Sequence, residues 1–247
     1  TMRVVVTRPK ASGMKTAQLL RQRGHEAILL PLVRPLHLAQ ACVDAFASRP
    51  GAFAVTSAEA IRALEEHLPR HPTIPDVPLY AVGAASAKAA QEAGFKTVFA
   101  GQSDGSALAE LIANDCTAGR ISGGITYLAG TLREDGFERR LSSLDIPFET
   151  VEVYGMSAVD WSKHELEHLL GSEAVDGVLL YSADAARRFF ALCDQLQLST
   201  WLARAHFVCI SEKVRSHVPE PFRHVAWASA DPVEDQMFDL LEQKAGT

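Results

Sequence analysis

A short pattern occurs twice in this chain, and the spacing of its two copies constrains the fold more than any other feature. The first copy is F-A-V-T-S-A-E-A-I-R-A-L at 53–64, and the second is V-L-L-Y-S-A-D-A-A-R-R-F at 178–189. Each copy is an apolar run typical of a buried strand, followed by apolar residues at helical spacing. The equivalent serines, Ser57 and Ser182, lie 125 positions apart.

Two neighbouring pairs of segments repeat at almost the same distance. L-Y-A-V-G at 79–83 corresponds to F-V-C-I-S 128 positions later, and T-V-F-A-G-Q-S-D at 97–104 corresponds to H-V-A-W-A-S-A-D 127 positions later. A fourth unit, at 125–153, has its counterpart at the beginning of the chain, at 2–32. The middle of the chain therefore carries four β/α units in order, whereas the second copy is split between the two ends.

This arrangement predicts an α/β protein with two similar parallel-sheet lobes of the flavodoxin or Rossmann type. A parallel strand at one end of the chain cannot bury both faces alone, so the two ends must combine into one sheet. We predict three parts, which are a discontinuous domain at 1–33 plus 157–247, a second domain at 38–150, and a two-stranded interdomain linker at 34–37 and 151–156. Two chain crossings indicate a hinge and a cleft between the lobes.

Composition and charge argue against several classes of protein. The formal net charge of −6 argues against broad electrostatic capture of nucleic acid. The apolar runs are far shorter than the ~20 residues of a membrane span, and the first residues enter a strand pattern without the apolar stretch of a signal peptide. The four cysteines are scattered, with no metal-ligand spacing. We therefore expect a cytoplasmic protein with no metal, no cofactor, no nucleic-acid or membrane partner and no obligate subunit interface.

Small polar residues follow the predicted strands. In open parallel sheets, ligands bind beyond the carboxyl ends of the strands, where helix N-termini offer free N–H groups and a positive dipole to carboxylates or phosphates. The residues at these ends are Thr7, Arg8, Thr56, Ser57, Ala58, Gly83, Gly101, Gln102, Ser103, Gly130, Thr131, Arg133, Ser182, Ser211 and Ser229. A single Ser or Thr of this kind is more often only a helix N-cap, and Thr56 with Glu59 has capping-box spacing. The repetition of the set in both lobes favours a site for a large polyanion.

The usual catalytic motifs are missing from the sequence. It contains no G-x-G-x-x-G fingerprint, P-loop, G-x-S-x-G elbow or H-E-x-x-H. No acid–base pair or nucleophile triad stands out either. An enzyme with this sequence would work by positioning a reactive substrate.

Several motifs, taken in order, resemble the uroporphyrinogen-III synthase family. They are V-T-R-P, P-L near the first crossing, V-T-S-A-E-A, A-V-G-x-x-S-A-x-A-x-x-x-G-F, G-x-x-R-E-D-x-x-x-x-x-L, V-x-V-Y and Y-S-A-D-A-x-x-x-F. Each motif is loose, but their order and spacing over residues 4 to 241 are fairly specific. The predicted two-lobed, doubly crossed architecture is also the one that this family has.

The resemblance implies a cyclising lyase. Its substrate would be the linear tetrapyrrole hydroxymethylbilane, which loses water and closes through a spiro intermediate with inversion of its last ring. This substrate carries eight carboxylates, which fits the strand-end pattern. The resemblance also implies a small-molecule partner, and we consider a transient contact with the upstream hydroxymethylbilane-producing enzyme.

Tyr154 matches the family's tyrosine at the second crossing, and the resemblance implies that it assists departure of the hydroxyl. A role in packing at the hinge is the alternative interpretation. Thr56, Ser57 and Ser182 are the expected main substrate contacts. Two positions depart from the family pattern, because Ser211 replaces a usual glycine and Gly155 follows the tyrosine.

Two other functions fit parts of the pattern. A non-catalytic bilobed protein that binds small anions, of the periplasmic type, would share the two lobes and the multiple crossings. A nucleotide-sugar transferase would also have two Rossmann-like lobes, but the chain is short for that class and lacks its glycine-rich donor loop.

Overall fold

A computed structural model describes residues 1–101 and 104–246, and the chain divides into two compact units. Unit 1 comprises Thr1–Arg34 and Ser157–Thr247, whereas unit 2 comprises Pro35–Met156. Both ends of the chain therefore contribute to the same unit. The assignment of separate linker segments stays a prediction.

Short strands and helices alternate along the described residues. The strands are β1 (Arg3–Val6), β2 (Glu26–Leu29), β3 (Val33–His37), β4 (Ala52–Val55), β5 (Leu79–Val82), β6 (Val98–Gly101), β7 (Ile125–Gly130), β8 (Phe148–Ala158), β9 (Gly177–Leu180), β10 (His206–Cys209) and β11 (Ala226–Ala228). The helices are α1 (Lys10–Gln22), α2 (Ala39–Ala47), α3 (Ala58–Glu65), α4 (Gly83–Glu92), α5 (Gly105–Thr117), α6 (Gly136–Ser143), α7 (Lys163–Leu170), α8 (Ala183–Leu196), α9 (Glu212–Arg215) and α10 (Glu234–Ala245).

The sheet of unit 1 has the order β2-β1-β9-β10-β11, and all of its strand pairs are parallel. The N-terminal strand β1 lies inside the sheet, where Val5 pairs with Ile28 on one side and with Val178 on the other. Numbered along the chain within the unit, this is the 2-1-3-4-5 order of flavodoxin-like folds. The prediction that the N-terminal β/α unit completes the second sheet is confirmed.

The sheet of unit 2 has the order β3-β8-β7-β4-β5-β6. The pairs that join β8, β7, β4, β5 and β6 in this order are all parallel. Matching β4, β5, β6, β7 and β8 to β9, β10, β11, β1 and β2 gives the same spatial order in both units. The repeated sequence patterns therefore mark equivalent strands of two similar parallel sheets, and the predicted α/β fold class is confirmed.

Both faces of each sheet are buried, as parallel strands require. In unit 1, Val5 and Phe207 face a core that includes Phe189 of α8, whereas Val4 faces a core that includes Phe238 of α10. Successive residues of a strand point to opposite faces, so this division follows directly from the strand geometry. Full burial of each such side chain stabilises the fold by roughly 1.5–3 kcal/mol.

Strands β3 and β8 lie where the chain passes from one unit to the other. The amide of Leu38 donates to the carbonyl of Val153 at 2.9 Å, and that of Val159 donates to the carbonyl of Leu32 at 3.0 Å. The first bond joins the end of β3 to the middle of β8, and the second joins the start of β3 to the end of β8. The two strands are therefore antiparallel.

Two local features differ from the sequence analysis. The N-cap of α3 is Ser57, whose side chain accepts from the amide of Glu59, so the capping box predicted for Thr56 is wrong. Thr56 instead bonds to a tyrosine of β7. Helix α2 was not predicted, since its segment carries no strong cap. No helix within the described residues has the length and apolarity to cross a bilayer.

Candidate functional site at the strand ends of each unit

Each sheet has one point at which its winding direction reverses. In unit 1 the reversal lies between β1 and β9, and in unit 2 it lies between β4 and β7. At such a point the connections leave to opposite sides, which opens a crevice at the carboxyl ends of the two strands. The predicted site residues Thr7, Arg8 and Ser182 follow β1 or β9.

A cavity of about 210 Å³ lies at the reversal point of unit 1. It is lined by residues that follow β1, β2 and β9, which are Thr7, Arg8, Pro9, Leu32, Val33, Tyr181, Ser182, Asp184, Ala185 and Arg188. Three of the predicted site residues therefore share one cavity. Its lining combines apolar side chains with hydroxyl and guanidinium groups, as in a small-molecule site.

A polar network holds Arg8 beside this cavity. The guanidinium carbon lies 4.5 Å from the ring centroid of Tyr181, and Nη1 lies 3.7 Å from Oε1 of Glu234. The same Glu234 oxygen accepts from the hydroxyls of Tyr181 at 2.6 Å and Thr16 at 2.5 Å. Burial, followed by the bond to Glu234, raises the pKa of the Tyr181 phenol, so it remains a donor. Glu234 balances the charge of Arg8 within the unit.

The hydroxyls of unit 1 have structural partners. Thr7 is buried, and its hydroxyl donates to the carbonyl of Leu179 at 2.9 Å, which adds a bond between the ends of β1 and β9. Ser182 caps α8 by accepting from the amide of Ala185, and Ser211 caps the four-residue helix α9. A capping oxygen still carries its own proton, so the exposed Ser182 retains a donor for a ligand.

In unit 2 a hydrogen bond joins the two strands at the reversal point. The hydroxyls of Thr56, after β4, and Tyr127, on β7, lie 2.8 Å apart. Tyr127 is 1% exposed, whereas Thr56 is half-buried. Ser57 caps α3 next to this pair, and Ala58 is the first residue of that helix. The predicted contacts Thr56, Ser57 and Ala58 therefore form one short segment at the sheet edge.

Tyr154 reaches this edge of the sheet because β8 contains a bulge. Ala129 pairs with Glu152, but Gly130 pairs with Tyr154, so Val153 is the extra residue. The bulge breaks the alternation of side chains and turns the tyrosine over Gly130. A Cβ at Gly130 would lie only 2.6 Å from Cζ of Tyr154, which explains the glycine.

The Tyr154 side chain is half-buried and packs against the core that includes Val153. Its hydroxyl has no hydrogen-bond partner within residues 1–101 and 104–246, whereas its carbonyl accepts from the amide of Thr131 at 2.9 Å. Backbone pairing and ring packing therefore hold the phenol in place while its polar atom remains available. The arrangement is compatible with both predicted roles, packing and proton donation.

Arg133 stabilises the loop that follows β7 through hydrogen bonds. Its guanidinium bonds to both oxygens of Glu138 at 3.0 and 3.1 Å, to Glu152 at 2.9 Å and to the carbonyl of Gly130 at 3.0 Å. The bond from Arg133 lowers the pKa of Glu138, so this carboxylate stays ionised. Most donors of Arg133 are used inside the unit, and a contact with substrate stays a prediction.

Two predicted glycines at strand ends have different surroundings. Gly83 begins α4 with φ +75°, a conformation that favours glycine, and open space surrounds the place of a Cβ. Gly101 ends β6, where a Cβ would lie 2.9 Å from Leu108, so helix packing explains this glycine. Gln102 and Ser103 lie outside the described residues.

Sequence analysis missed four side chains that contact the predicted site residues. Tyr127 lies within β7, Tyr181 directly follows β9, and Thr16 and Glu234 come from the helices α1 and α10. Of these four side chains, only Tyr181 has a signal in the sequence. It directly precedes Ser182, at the position that Thr56 occupies in the first copy of the repeated pattern. No cluster of His, Cys, Asp or Glu within the described part of the chain could hold a metal ion.

These features define an α/β protein with two units that share one spatial order of five parallel strands and carry amides and hydroxyls at the strand ends. The model of the uroporphyrinogen-III synthase HemD family matches residues 14–239, and the chain belongs to this family. It is therefore a lyase of tetrapyrrole and haem biosynthesis. Family membership does not favour the alternative of a non-catalytic binding protein.

Solved structures show the same fold. A uroporphyrinogen-III synthetase from Helicobacter pylori is 16% identical with a TM-score of 0.62, over 98% of this chain and 99% of the other. A mutant uroporphyrinogen III synthase from the extremely thermophilic bacterium Thermus thermophilus is 16% identical with a TM-score of 0.52, over 100% and 99%. Among curated proteins, none matches the chain in sequence.

The contact between Gly130 and Tyr154 yields a prediction. A Gly130→Ala substitution must displace the ring, because the new Cβ would lie 2.6 Å from it. We expect kcat to fall by about tenfold to a hundredfold, since small displacements of a positioned group are costly. The measurement is the steady-state rate of type III porphyrinogen formation.

Gly136→Ala is the matched control, because no atom lies within 4 Å of a Cβ at that position. It makes the same chemical change in the same unit and should leave the rate within about twofold. Equal rates for the two variants would contradict the placement of Tyr154 as a reaction-relevant contact.

Proposed function

We propose that this chain converts hydroxymethylbilane to uroporphyrinogen III, with the strand ends of each unit binding carboxylates and Tyr154 assisting loss of the hydroxyl. The observation that carries the role of Tyr154 is its hydroxyl, unbonded within the described residues, on a ring held over Gly130 by the β8 bulge. A fixed phenol with an available O–H is suited to donate a hydrogen bond to a leaving group.

In the first step, the bond between the terminal CH₂ carbon and its hydroxyl oxygen breaks. The oxygen leaves as water, taking up one proton, and the adjacent pyrrole N–H supplies one proton, so the organic product is a neutral azafulvene. A hydrogen bond from Tyr154 stabilises the negative charge that develops on the departing oxygen. The phenol passes its proton to the departing oxygen and takes up the proton released by the pyrrole N–H, so its own protonation is restored.

The azafulvene carbon then forms a bond to the already substituted carbon of the last ring, which gives a spiro intermediate. The bond between the spiro carbon and its original CH₂ bridge then breaks, and the bridge carbon bonds to the other α-carbon of the ring, which inverts the ring. Loss of the proton on that carbon restores the aromaticity. Without an enzyme the same molecule closes without inversion. The protein must therefore hold the chain in one conformation and exclude water, which is a positioning task.

Amides and hydroxyls are proposed to contribute most of the substrate recognition, and contacts from the strand-end arginines stay predictions. Glu234 balances Arg8, and Glu138 and Glu152 engage Arg133. Ser57 and Ser182 cap α3 and α8, whose first amides and positive dipole ends attract carboxylates. Gly83 offers backbone that a ligand can approach closely, and Ser211 is a further predicted contact in unit 1.

The proposal includes a reducing, cytoplasmic compartment, which suits the free thiols of Cys42, Cys116, Cys193 and Cys209. It also includes a transient contact with the enzyme that produces hydroxymethylbilane, because the released substrate cyclises by itself. Delivery at close range would limit that side reaction.

The direct test is to incubate the protein with freshly prepared hydroxymethylbilane, oxidise the product and separate the porphyrin isomers. We expect the type III isomer to predominate over the type I isomer that forms spontaneously. Type I product alone, at the rate of the protein-free control, would contradict the function.

A second prediction concerns Tyr154→Phe, which keeps the ring over Gly130 and removes only the hydroxyl. We expect kcat to fall by about a hundredfold, within the usual range for a proton-donating group, while product affinity changes little. Tyr80→Phe is the matched control, since Tyr80 is a buried tyrosine of the same sheet that donates to Asp115. Equal losses of rate and affinity in Tyr154→Phe would indicate a packing role.

A further inference from the structure

A buried phenol in unit 2 is linked to one of the predicted substrate contacts. Tyr127 lies on β7, is 1% exposed, and has its hydroxyl 2.8 Å from Oγ1 of Thr56. The two residues stand on β7 and at the end of β4, the strands that flank the reversal point of this sheet. The bond therefore fixes one side chain at the place where the fold opens a ligand crevice.

Burial decides which hydroxyl donates. Within the described residues, Thr56 is the only hydrogen-bond partner of the Tyr127 hydroxyl. If Tyr127 accepted the bond, its own proton would be buried without an acceptor, which is unfavourable. Tyr127 therefore donates to Thr56. The half-buried Thr56 then keeps its own proton for an acceptor outside the sheet.

The surroundings of Tyr127 keep this direction fixed. Burial raises the pKa of its phenol, so the proton remains on the oxygen across the physiological pH range. The ring packs edge-on against Phe137 at a centroid distance of 4.8 Å, which limits its movement. A β-branched threonine has few rotamers, and a bond to Oγ1 selects one of them.

We propose that Tyr127 is a positioning residue that orients the Thr56 hydroxyl as a preorganised hydrogen-bond donor to a substrate carboxylate. This inference rests on the proposed function and adds to it the identity of the group that orients the Thr56 hydroxyl. It assigns Tyr127 to ground-state binding, separate from the role of Tyr154 in the loss of water. Preorganisation of this kind improves affinity because less side-chain freedom is lost on binding.

The test is a set of variants at the two positions. Tyr127→Phe retains the ring and its packing, and we expect KM to rise about three- to tenfold with kcat within about twofold, as for loss of one hydrogen bond. Thr56→Val, which removes the donor itself, should raise KM by at least as much, and Thr56→Ser should remain near the parent value. Combining Tyr127→Phe with Thr56→Val should be no worse than Thr56→Val alone, because Tyr127 acts through Thr56.

Tyr80→Phe is the control for loss of a buried phenol. It is equally buried in the same sheet, but its hydroxyl donates to Asp115 at 2.6 Å instead of to a predicted site residue. We expect it to lower the unfolding temperature and leave KM unchanged.

Three outcomes would overturn the inference. They are an unchanged KM in Tyr127→Phe, additive effects in the double variant, and failure of Tyr127→Phe to fold, which would make the phenol a stability element. If the parent protein itself makes no type III product, the proposed function fails. The inference can then still be judged from the binding of uroporphyrinogen III to the same variants.

Discussion

The reversal of winding in each sheet determines where this protein can bind a ligand. Between β1 and β9, and again between β4 and β7, the connections leave in opposite directions and do not cover the carboxyl ends of the strands. In unit 1 the N-terminal strand occupies this position, and the Thr7 hydroxyl bonds to Leu179 across the pair. The equivalent pair in unit 2 is bonded through Thr56 and Tyr127. The predicted substrate contacts near these points depend on the pairing of distant parts of the chain.

Under the proposed function, the charges of the protein require that the polyanionic substrate is bound locally. The chain carries a formal net charge of −6, and its two strand-end arginines, Arg8 and Arg133, are paired with carboxylates of their own units. The long-range electrostatic field of a protein with this net charge repels a substrate with eight carboxylates. Helix N-termini and hydroxyls avoid this difficulty, since they add donors without depending on net charge. A reaction driven by the substrate's own pyrroles needs such donors for orientation more than it needs strong acids or bases.

Much of the fold could be predicted because each repeated pattern indicates one strand followed by one helix. The order of the patterns along the chain indicates how the strands are connected. The split copy requires the two ends of the chain to combine into one sheet, because a strand at one end cannot bury both faces alone. The pairing of β1 with β9 is known from the structure. Helix α2 escaped prediction, since neither of its ends has a strong cap. The capping box assigned to Thr56 was wrong because spacing alone does not show that the neighbouring strand β7 offers Tyr127 as a competing partner.

The site was predicted less completely, for a physical reason. Residues that directly follow strands can be found from the pattern, as with Thr56, Ser57 and Ser182. The groups that hold them, such as Tyr127 and Glu234, come from other elements through contacts that periodicity does not encode. The bulge that turns Tyr154 over Gly130 is likewise a property of pairing between β7 and β8. The tyrosine itself came from the family resemblance, and its surroundings came from the structure.

The helix N-termini beside the reversal points are proposed to hold the tetrapyrrole. Amide hydrogen exchange, measured by mass spectrometry with and without uroporphyrinogen III, tests this most directly. We predict slower exchange at the first turns of α3 and α8, around 58–60 and 183–185, with the last turns of the same two helices unchanged. Exchange that is unaffected at both first turns while the product is bound would contradict the account.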